Sequence, residues 1–359
     1  MRRLGLAFLL ACGVAHAHKP SDSYLSLTAE GAELRGQWDI ALRDLEHAIG
    51  LDANGDGAIT WGELRRKQAE VSAYAFARLK LGECTLKPGA LMVDEHTDGA
   101  YAVLEFVGHC GDALPRRIEL EYTLFADLDP THRGLLRARF GEQTVTGVLG
   151  PDQPRLSLDP DGRSRWEQFL DYAREGVWHI WIGFDHVLFL LSLLLPAVLL
   201  APRFAPAFWD VFKVVTAFTV AHSITLALAA LSVVTLPSRL VESAIAASVV
   251  LAALNNLWPV VQRARWLVAF TFGLIHGFGF ASVLAELGLP QESLLLALVS
   301  FNLGVEGGQL VIVALFLPLA YAVRQTWFYR RVVLMGGSAL IAATATIWLA
   351  ERALDVKLY

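Results

Sequence analysis

Charge is what this sequence has least of. Lys, Arg, Asp and Glu make up 18% of its 359 residues against 55% hydrophobic residues, and the mean hydropathy is +0.45. So little charge excludes an ordinary soluble protein of this length. The net charge of −5 is mild and no basic tract is present, which excludes a nucleic-acid partner. No GxxxxGK[ST] loop occurs, so the chain carries no phosphate cradle for ATP. Cysteine is scarce too. The three cysteines are Cys12, Cys84 and Cys110, too few for a four-thiolate zinc site.

What is present is unevenly spread. Residues 18–160 have the mixed composition of a soluble domain, whereas residues 176–350 are apolar enough for a membrane. The first residues, MRRLGLAFLLACGVAHAHKP, read as a secretory signal peptide over residues 1–17. Arg2 and Arg3 precede the short apolar core Leu4 to Val14, and Ala15-His16-Ala17 offers a small-x-small cleavage site. A second reading takes Leu9-Leu10-Ala11-Cys12 as a lipoprotein site. Cleavage after Ala17 makes His18 the first residue, whose amine and imidazole together suit copper(II). In an exported domain the remaining pair, Cys84 and Cys110, is expected to form a disulfide.

The exported part is predicted to be a β-sandwich-like domain with an inserted helix-loop-helix. Residues 22–41 alternate apolar and polar around a glycine turn, the pattern of a hairpin with one buried and one wet face. Further strands are expected near 82–87, 91–95, 100–108, 117–125, 135–140 and 144–149. Between them, residues 42–80 read helix, loop, helix. The loop DANGDGAITWGE, Asp52 to Glu63, has the spacing of an EF-hand calcium loop. Asp52, Asn54 and Asp56 supply side-chain oxygens, Gly57 the sharp turn, Ala58 a carbonyl, Thr60 the ninth position and Glu63 the closing carboxylate. A hard cation such as Ca²⁺ requires such an oxygen set.

Residues 161–175 form an amphipathic connector expected on the outer surface. An all-α bundle of six transmembrane spans follows, near 177–200, 209–233, 239–259, 266–286, 293–321 and 331–350, with residues 351–359 as a tail. Pro196, Pro237, Pro290 and Pro318 are expected near span ends. Inner loops would hold Arg203, Lys213, Arg263, Arg265, Arg324, Arg330 and Arg331, and outer segments only Arg239, Arg352 and Lys357. That bias agrees with an exported N-terminal domain, the lipid bilayer of an inner membrane and both chain ends outside the cytoplasm.

Polar groups interrupt this apolar half. His179, Asp185 and His186 lie in the first predicted span, and Thr219, His222, Ser223 and Thr225 in the second. Glu242 lies in the third, His276 in the fourth, and Asn302, Glu306 and Gln309 in the fifth. Ionisable groups in hydrocarbon are costly unless they face a partner or a cavity. His179 and His186, seven residues apart, would share a helix face, and Asn302, Glu306 and Gln309 form one stripe. Gly273, Gly277 and Gly279 around His276 would let another backbone approach. Imidazoles with carboxylates suit Zn²⁺, Ni²⁺, Co²⁺ or Cu²⁺. Hydrogen-bonded glue between helices and a proton relay use the same residue types.

The segments HIWIGFDH (179–186), FTVAHSITLALA (218–229), RLVESAIAAS (239–248), FGLIHGFGFA (272–281) and FNLGVEGGQ (301–309) resemble the HupE/UreJ family. The resemblance covers residues 176–350 and, with the signal and exported domain, looks like the longer branch of that family. It implies nickel or cobalt uptake by a secondary mechanism, with His179, Asp185 and His186 contacting metal. It also implies association with metalloenzyme maturation or a periplasmic partner. Of the second motif of shorter members only His276-Gly277 matches, and Ala281 stands near the expected acid.

Three readings remain open at this level. A transporter would hold its cation between His179, Asp185, His186, His222, His276 and Glu306, with Ser223, Glu242, Asn302 and Gln309 supporting them. A zinc-dependent intramembrane hydrolase, similar to ceramidase-like enzymes, would place zinc on His186, His222 and His276, with Asp185 or Glu306 as base and Ser223 assisting. A metal-free anchoring protein would work through its soluble domain.

Overall fold

The computed structural model describes residues 21–96, 99–141, 143–159, 164–279, 291–354 and 356. The signal-peptide, lipoprotein and His18 readings, and Ala281, lie outside the described residues.

The N-terminal region is sheet-rich. β1 (Asp22–Glu30) and β2 (Glu33–Ala41) form the expected hairpin. The chain then runs through α1 (Leu42–Ile49), α2 (Trp61–Arg66) and α3 (Gln68–Phe76). It returns to β3 (Leu79–Leu81), β4 (Thr85–His96), β5 (Gly99–His109), β6 (Ile118–Tyr122), β7 (Arg133–Phe140), β8 (Gln143–Leu149) and β9 (Arg155–Leu158). Six strands in the order β4-β5-β2-β1-β7-β8 make one sheet, and β3-β6-β9 make a second. Only β1 and β7 pair in parallel among the described strands. The strands expected at 82–87 and 91–95 are one strand, β4, with a register shift between Pro88 and Leu91. Proline has no N–H to give to a ladder, so an irregular edge strand tolerates it.

Trp38, Leu25 and Leu104 of the large sheet and Leu120, Tyr122 and Leu156 of the small one share a single core with Leu45, Leu64 and Val71 of the three helices. Cys84 and Cys110 are joined, with Cα atoms 4.0 Å apart. They flank the pair Thr85–His109 and so close the open end of the β4–β5 hairpin.

A polar chain crosses this core. Trp38 Nε1 donates to Ser23 Oγ (3.2 Å), which lies 2.6 Å from Tyr122 Oη. Tyr122 Oη reaches His132 Nε2 (2.5 Å), His132 Nδ1 reaches Ser21 Oγ (2.5 Å), and Ser21 Oγ donates to Asp44 Oδ2 (2.7 Å). The carboxylate can only accept, so the directions follow. Ser21 accepts from His132 Nδ1–H, and His132 Nε2 accepts from Tyr122. The ring is therefore neutral with both nitrogens used. Burial first, and the Arg133 charge second, push its pKa down to about 3. Burial pushes Asp44 up, against the lowering effect of Arg43.

One expectation fails at the sheet's outer face. Tyr24, Ala41, Tyr101, Leu135 and Val148 point away from the sandwich core, yet all are buried. They pack in a second cluster with Tyr172, Ile180, Leu226, Leu298 and Phe301 of the helical part. The face that alternation marks as wet is covered by helices.

The helical part begins at α4 (Arg165–Ile182), started by a reciprocal cap between Ser164 and Glu167. It continues with α5 (Phe184–Leu200), α6 (Phe204–Ala230), α7 (Ser238–Leu257), α8 (Arg265–His276) and α9 (Gln291–Val323). A wide-turned segment, Tyr329–Gly336, leads into α10 (Gly337–Leu354). Among the described residues, four helical stretches are long and apolar enough to cross a membrane, and the pair α4–α5 makes a fifth if it counts as one bent span. Of the span expected at 266–286, α8 accounts for the residues up to His276, and residues 280–290 lie outside the described set.

The first predicted span is corrected. It is two helices bent by 72°. The break is Gly183, whose φ of −71° and ψ of 88° leave the helical region. A Cβ there would stand 2.6 Å from the carbonyl of His179 and 3.0 Å from His186 Nδ1, so glycine alone fits. The prolines lie near helix ends as expected, Pro237 just before α7, Pro196 in the last turns of α5 and Pro318 in those of α9. Pro196 has no N–H for the carbonyl of Ser192 one turn back. Asn256 Nδ2 of α7 donates to that carbonyl instead (2.8 Å).

Candidate metal centre

Three helices bring histidines together. His179 ends α4, His186 begins α5 and His222 lies in the second half of α6. One ring nitrogen from each lies within 4.8 Å of the others. His179 and His186 do not share a helix face, as their spacing suggested. The bend at Gly183 folds one ring back on the other, with centroids 4.7 Å apart. A fourth ring, His276 at the end of α8, stands 5.0 Å from His186. The glycines near His276 act as expected: a Cβ on Gly273 would stand 2.5 Å from the carbonyl of Phe218, and one on Gly277 would collide with the carbonyl of His222. The α8 backbone therefore touches α6.

The second nitrogens are tied down, which fixes the tautomers. His186 Nδ1 is 2.9 Å from Asp185 Oδ1, a pure acceptor, so Nδ1 carries the proton. His222 Nδ1 is 3.2 Å from Asn302 Oδ1. The amide is oriented by its own Nδ2, which donates to the carbonyl of Leu298 (2.8 Å). Ser248 of α7 donates to the carbonyl of Ile245 (2.6 Å), so it accepts from His276 Nε2 at 2.8 Å. In each case the other nitrogen presents a lone pair. His186 Nε2, His222 Nε2 and His276 Nδ1 are buried and have no hydrogen-bond partner among the described residues. Buried polar atoms are ordinarily paired. Imidazoles held by one nitrogen with the other left bare are how metal-ligating histidines are presented.

The remaining expected residues surround this group at varied distance. Asp185 supports His186 and has Arg352 Nη2 of α10 3.8 Å from its other oxygen. Gln309 accepts from Thr219 (3.1 Å), and Glu306 from Thr216 (2.6 Å), so the α9 stripe faces α6. Glu306 is not in the histidine group. Ser223 spends its hydroxyl on the carbonyl of Thr219 one turn back (2.7 Å). Glu242 accepts from Ser238 (2.5 Å), and its carbonyl faces Arg352 Nη1 (3.3 Å).

Sequence reasoning missed Ser248 and Arg352 as members of this surround. Ser248 carried a signal, since it ends the segment 239–248. Arg352 carried none, because only the packing of α10 brings it to Asp185.

In the sheet-rich region, the loop between α1 and α2 gathers its acidic groups onto its own backbone. Asp52 accepts from the N–H of Gly55 (2.7 Å) and Gly57 (2.8 Å), Asn54 from Asp56 (2.9 Å), and Asp56 from Ala58 (2.8 Å). Gly57 has a φ of +84°, which L side chains rarely adopt. Glu63 accepts from the N–H and hydroxyl of Thr60 (2.9 and 2.7 Å), bonds that hold its carboxyl below the usual range.

Three imidazoles would leave coordination positions open, as suits a cation that is exchanged or that activates a bound group. A family model described as HupE / UreJ protein matches residues 157–352, more than half of the chain. No curated protein matches it. The matched stretch includes every histidine of the group and, but for the last two residues of α10, the helices among the described residues that are long and apolar enough to cross a membrane. The chain is a membrane protein belonging to the HupE/UreJ family.

Proposed function

We propose that this protein is a secondary transition-metal transporter of the nickel/cobalt type. One observation carries the reading: histidines of three helices converge within 4.8 Å, at a family-matched site buried among apolar helices. The cation would be held by His179, His186 and His222, and His276, outside that group with its ring centre 5.0 Å from that of His186, would serve as an exchangeable fourth ligand. Asp185 offsets the positive charge, while Asn302 and Ser248 hold the rings. Imidazole ligands favour Ni²⁺, Co²⁺, Zn²⁺ or Cu²⁺ over harder cations. In this reading six spans cross the inner membrane, a signal peptide precedes them, and the sheet-rich region is periplasmic. The arginine and lysine bias of the predicted loops supports that orientation.

The three-histidine count also favours a second reading, because catalytic zinc commonly has three protein ligands and an open position. One experiment separates the two. Elemental analysis of purified protein is run beside cellular uptake of Ni, Co, Zn and Cu. Uptake that disappears in His186→Ala and His222→Ala supports transport. Tightly retained zinc with lipid turnover and no uptake supports the hydrolase. Uptake unchanged in both variants overturns the transporter reading.

The α1–α2 loop is proposed to bind Ca²⁺ through Asp52, Asn54, Asp56, the Ala58 carbonyl, Thr60 and Glu63. Its oxygen donors and the left-handed Gly57 fit a hard cation. Trp61 begins α2 directly after the loop and is half-exposed. Bound terbium should therefore luminesce on tryptophan excitation and be displaced by Ca²⁺. Glu63→Gln should lower that signal, and an unchanged titration would remove the assignment.

A further inference from the structure

The histidine group straddles a bend. His179 lies before Gly183 and His186 after it, on helices 72° apart. The spacing of these two ligands therefore depends on what holds α4. On one side α9 does so. A Cβ on Gly176 would collide with the carbonyl of Phe301, and one on Gly304 with that of Ala173, so the two backbones touch.

On the other side the sheet-rich region holds α4 through Tyr172 Oη, which donates to Thr146 (3.2 Å), through Arg174, which donates to Asp152 (2.9 Å), and through Arg133, the more buried of the two arginines. Arg133 begins β7, and its side chain is 8% exposed. Its Nε is 3.3 Å from Glu175 Oε2 and its Nη2 is 3.5 Å from Asp152 Oδ1. Its Nη1 donates to the carbonyl of His132 (2.9 Å), and the guanidinium carbon stands 5.8 Å from the centre of the Trp178 ring. Glu175 is one helical turn before His179, on the same side of α4, and Trp178 directly precedes it. The sheet end of the grip is rigid as well. The Arg133 N–H donates to the carbonyl of Ser21 (2.9 Å), and both neighbours belong to the sealed polar chain.

A tether would not need this arrangement. The apolar contacts of Tyr24, Leu135 and Val148 already attach the sheet to the helices. A buried guanidinium is costly, and this one is held by Glu175 and the His132 carbonyl while its Nη2 has no hydrogen-bond partner among the described residues, Asp152 standing 3.5 Å away. We propose that Arg133 is a positioning residue for the cation site: by gripping Glu175 it sets the rotation of the last turn of α4, and with it the place of His179 opposite His186 and His222. The inference rests on the reading of the histidine group as a cation site.

The test is a Co²⁺ titration of the purified full-length protein, reading affinity and the visible absorption of the bound ion. The proteins are wild type, Arg133→Glu, Glu175→Arg and the double exchange, with a thermal melt of each. Each single change should weaken Co²⁺ by about tenfold or more and shift the absorption, as loss of an outer partner does. The double exchange should recover most of both. Folded single variants with wild-type affinity and absorption overturn the proposal, and so does a double exchange no better than the worse single. If the charge-reversed chains fail to fold, Arg133→Gln and Arg133→Lys carry the same test. Gln should weaken binding and Lys restore part of it, and wild-type binding by the Gln variant overturns the proposal. A wild type that takes up no Co²⁺ counts instead against the cation site itself.

Discussion

Buried histidine serves opposite ends in the two parts of this molecule. In the sheet-rich region His132 uses both nitrogens, one on Ser21 and one on Tyr122, and the chain of donors ends on Asp44. Nothing is left over. Among the helices, His186, His222 and His276 each use one nitrogen on Asp185, Asn302 and Ser248 and keep the other bare. The first arrangement closes a core, and the second leaves three ring nitrogens without hydrogen-bond partners among the described residues. Burial alone does not distinguish them, since His132 and His222 are both fully buried. The count of satisfied nitrogens does.

The sharpest way to break the comparison is to remove a bare nitrogen. His222→Ala should abolish high-affinity Co²⁺ binding while leaving the thermal melt within a few degrees. Unchanged Co²⁺ affinity would make His222 no more a ligand than His132.

Acid gives the next largest effect, and it belongs to the other region. The folded His132 is held near pKa 3, below its ordinary 6.5. Between these values the unfolded chain takes a proton that the folded one refuses. Its contribution to stability is thus complete above about pH 6.5 and is lost as pH falls toward 3. The loss is about 1.4 kcal/mol per pH unit in that window. Asp44, raised by burial, works in the opposite direction and offsets part of this. Melts of the full chain from pH 7 to 4 should show the decline, and His132→Gln should be less stable at pH 7 and flatter with pH. A variant as acid-sensitive as wild type would show that the sealed chain does not control the effect.

The smallest expected effect lies in the ring supports. Asn302→Leu and Ser248→Ala should each weaken Co²⁺ by about tenfold, or ~1.4 kcal/mol, because the ring loses its orienting partner. Equilibrium dialysis measures this. A change as large as that of His222→Ala would mean that these residues are themselves ligands.

Much of this contrast was legible in the sequence, because it depends on local pattern. Alternation located β1 and β2, loop spacing located Asp52 to Glu63, and the apolar runs made His179, His186, His222 and His276 conspicuous. What was hidden depends on contacts far apart in sequence. The bend at Gly183 brings His179 and His186 so close to the glycine that a Cβ there would clash, a contact that sequence spacing does not show. The covered face of the large sheet requires knowing that α4, α6 and α9 lie over it. Ser248 and Arg352 reach the histidine surround only through the packing of α7 and α10. His132, in an unremarkable THRG stretch, becomes central only when β7 pairs with β1 and brings it to Ser21.

The most direct measurement is X-ray absorption at the metal edge of full-length protein loaded with one equivalent of Co²⁺ or Ni²⁺. The spectrum should show the multiple scattering of about three imidazoles, in line with an open three-histidine site, reduced in His222→Ala. An oxygen-only shell, or a spectrum that the substitution leaves unchanged, would contradict it.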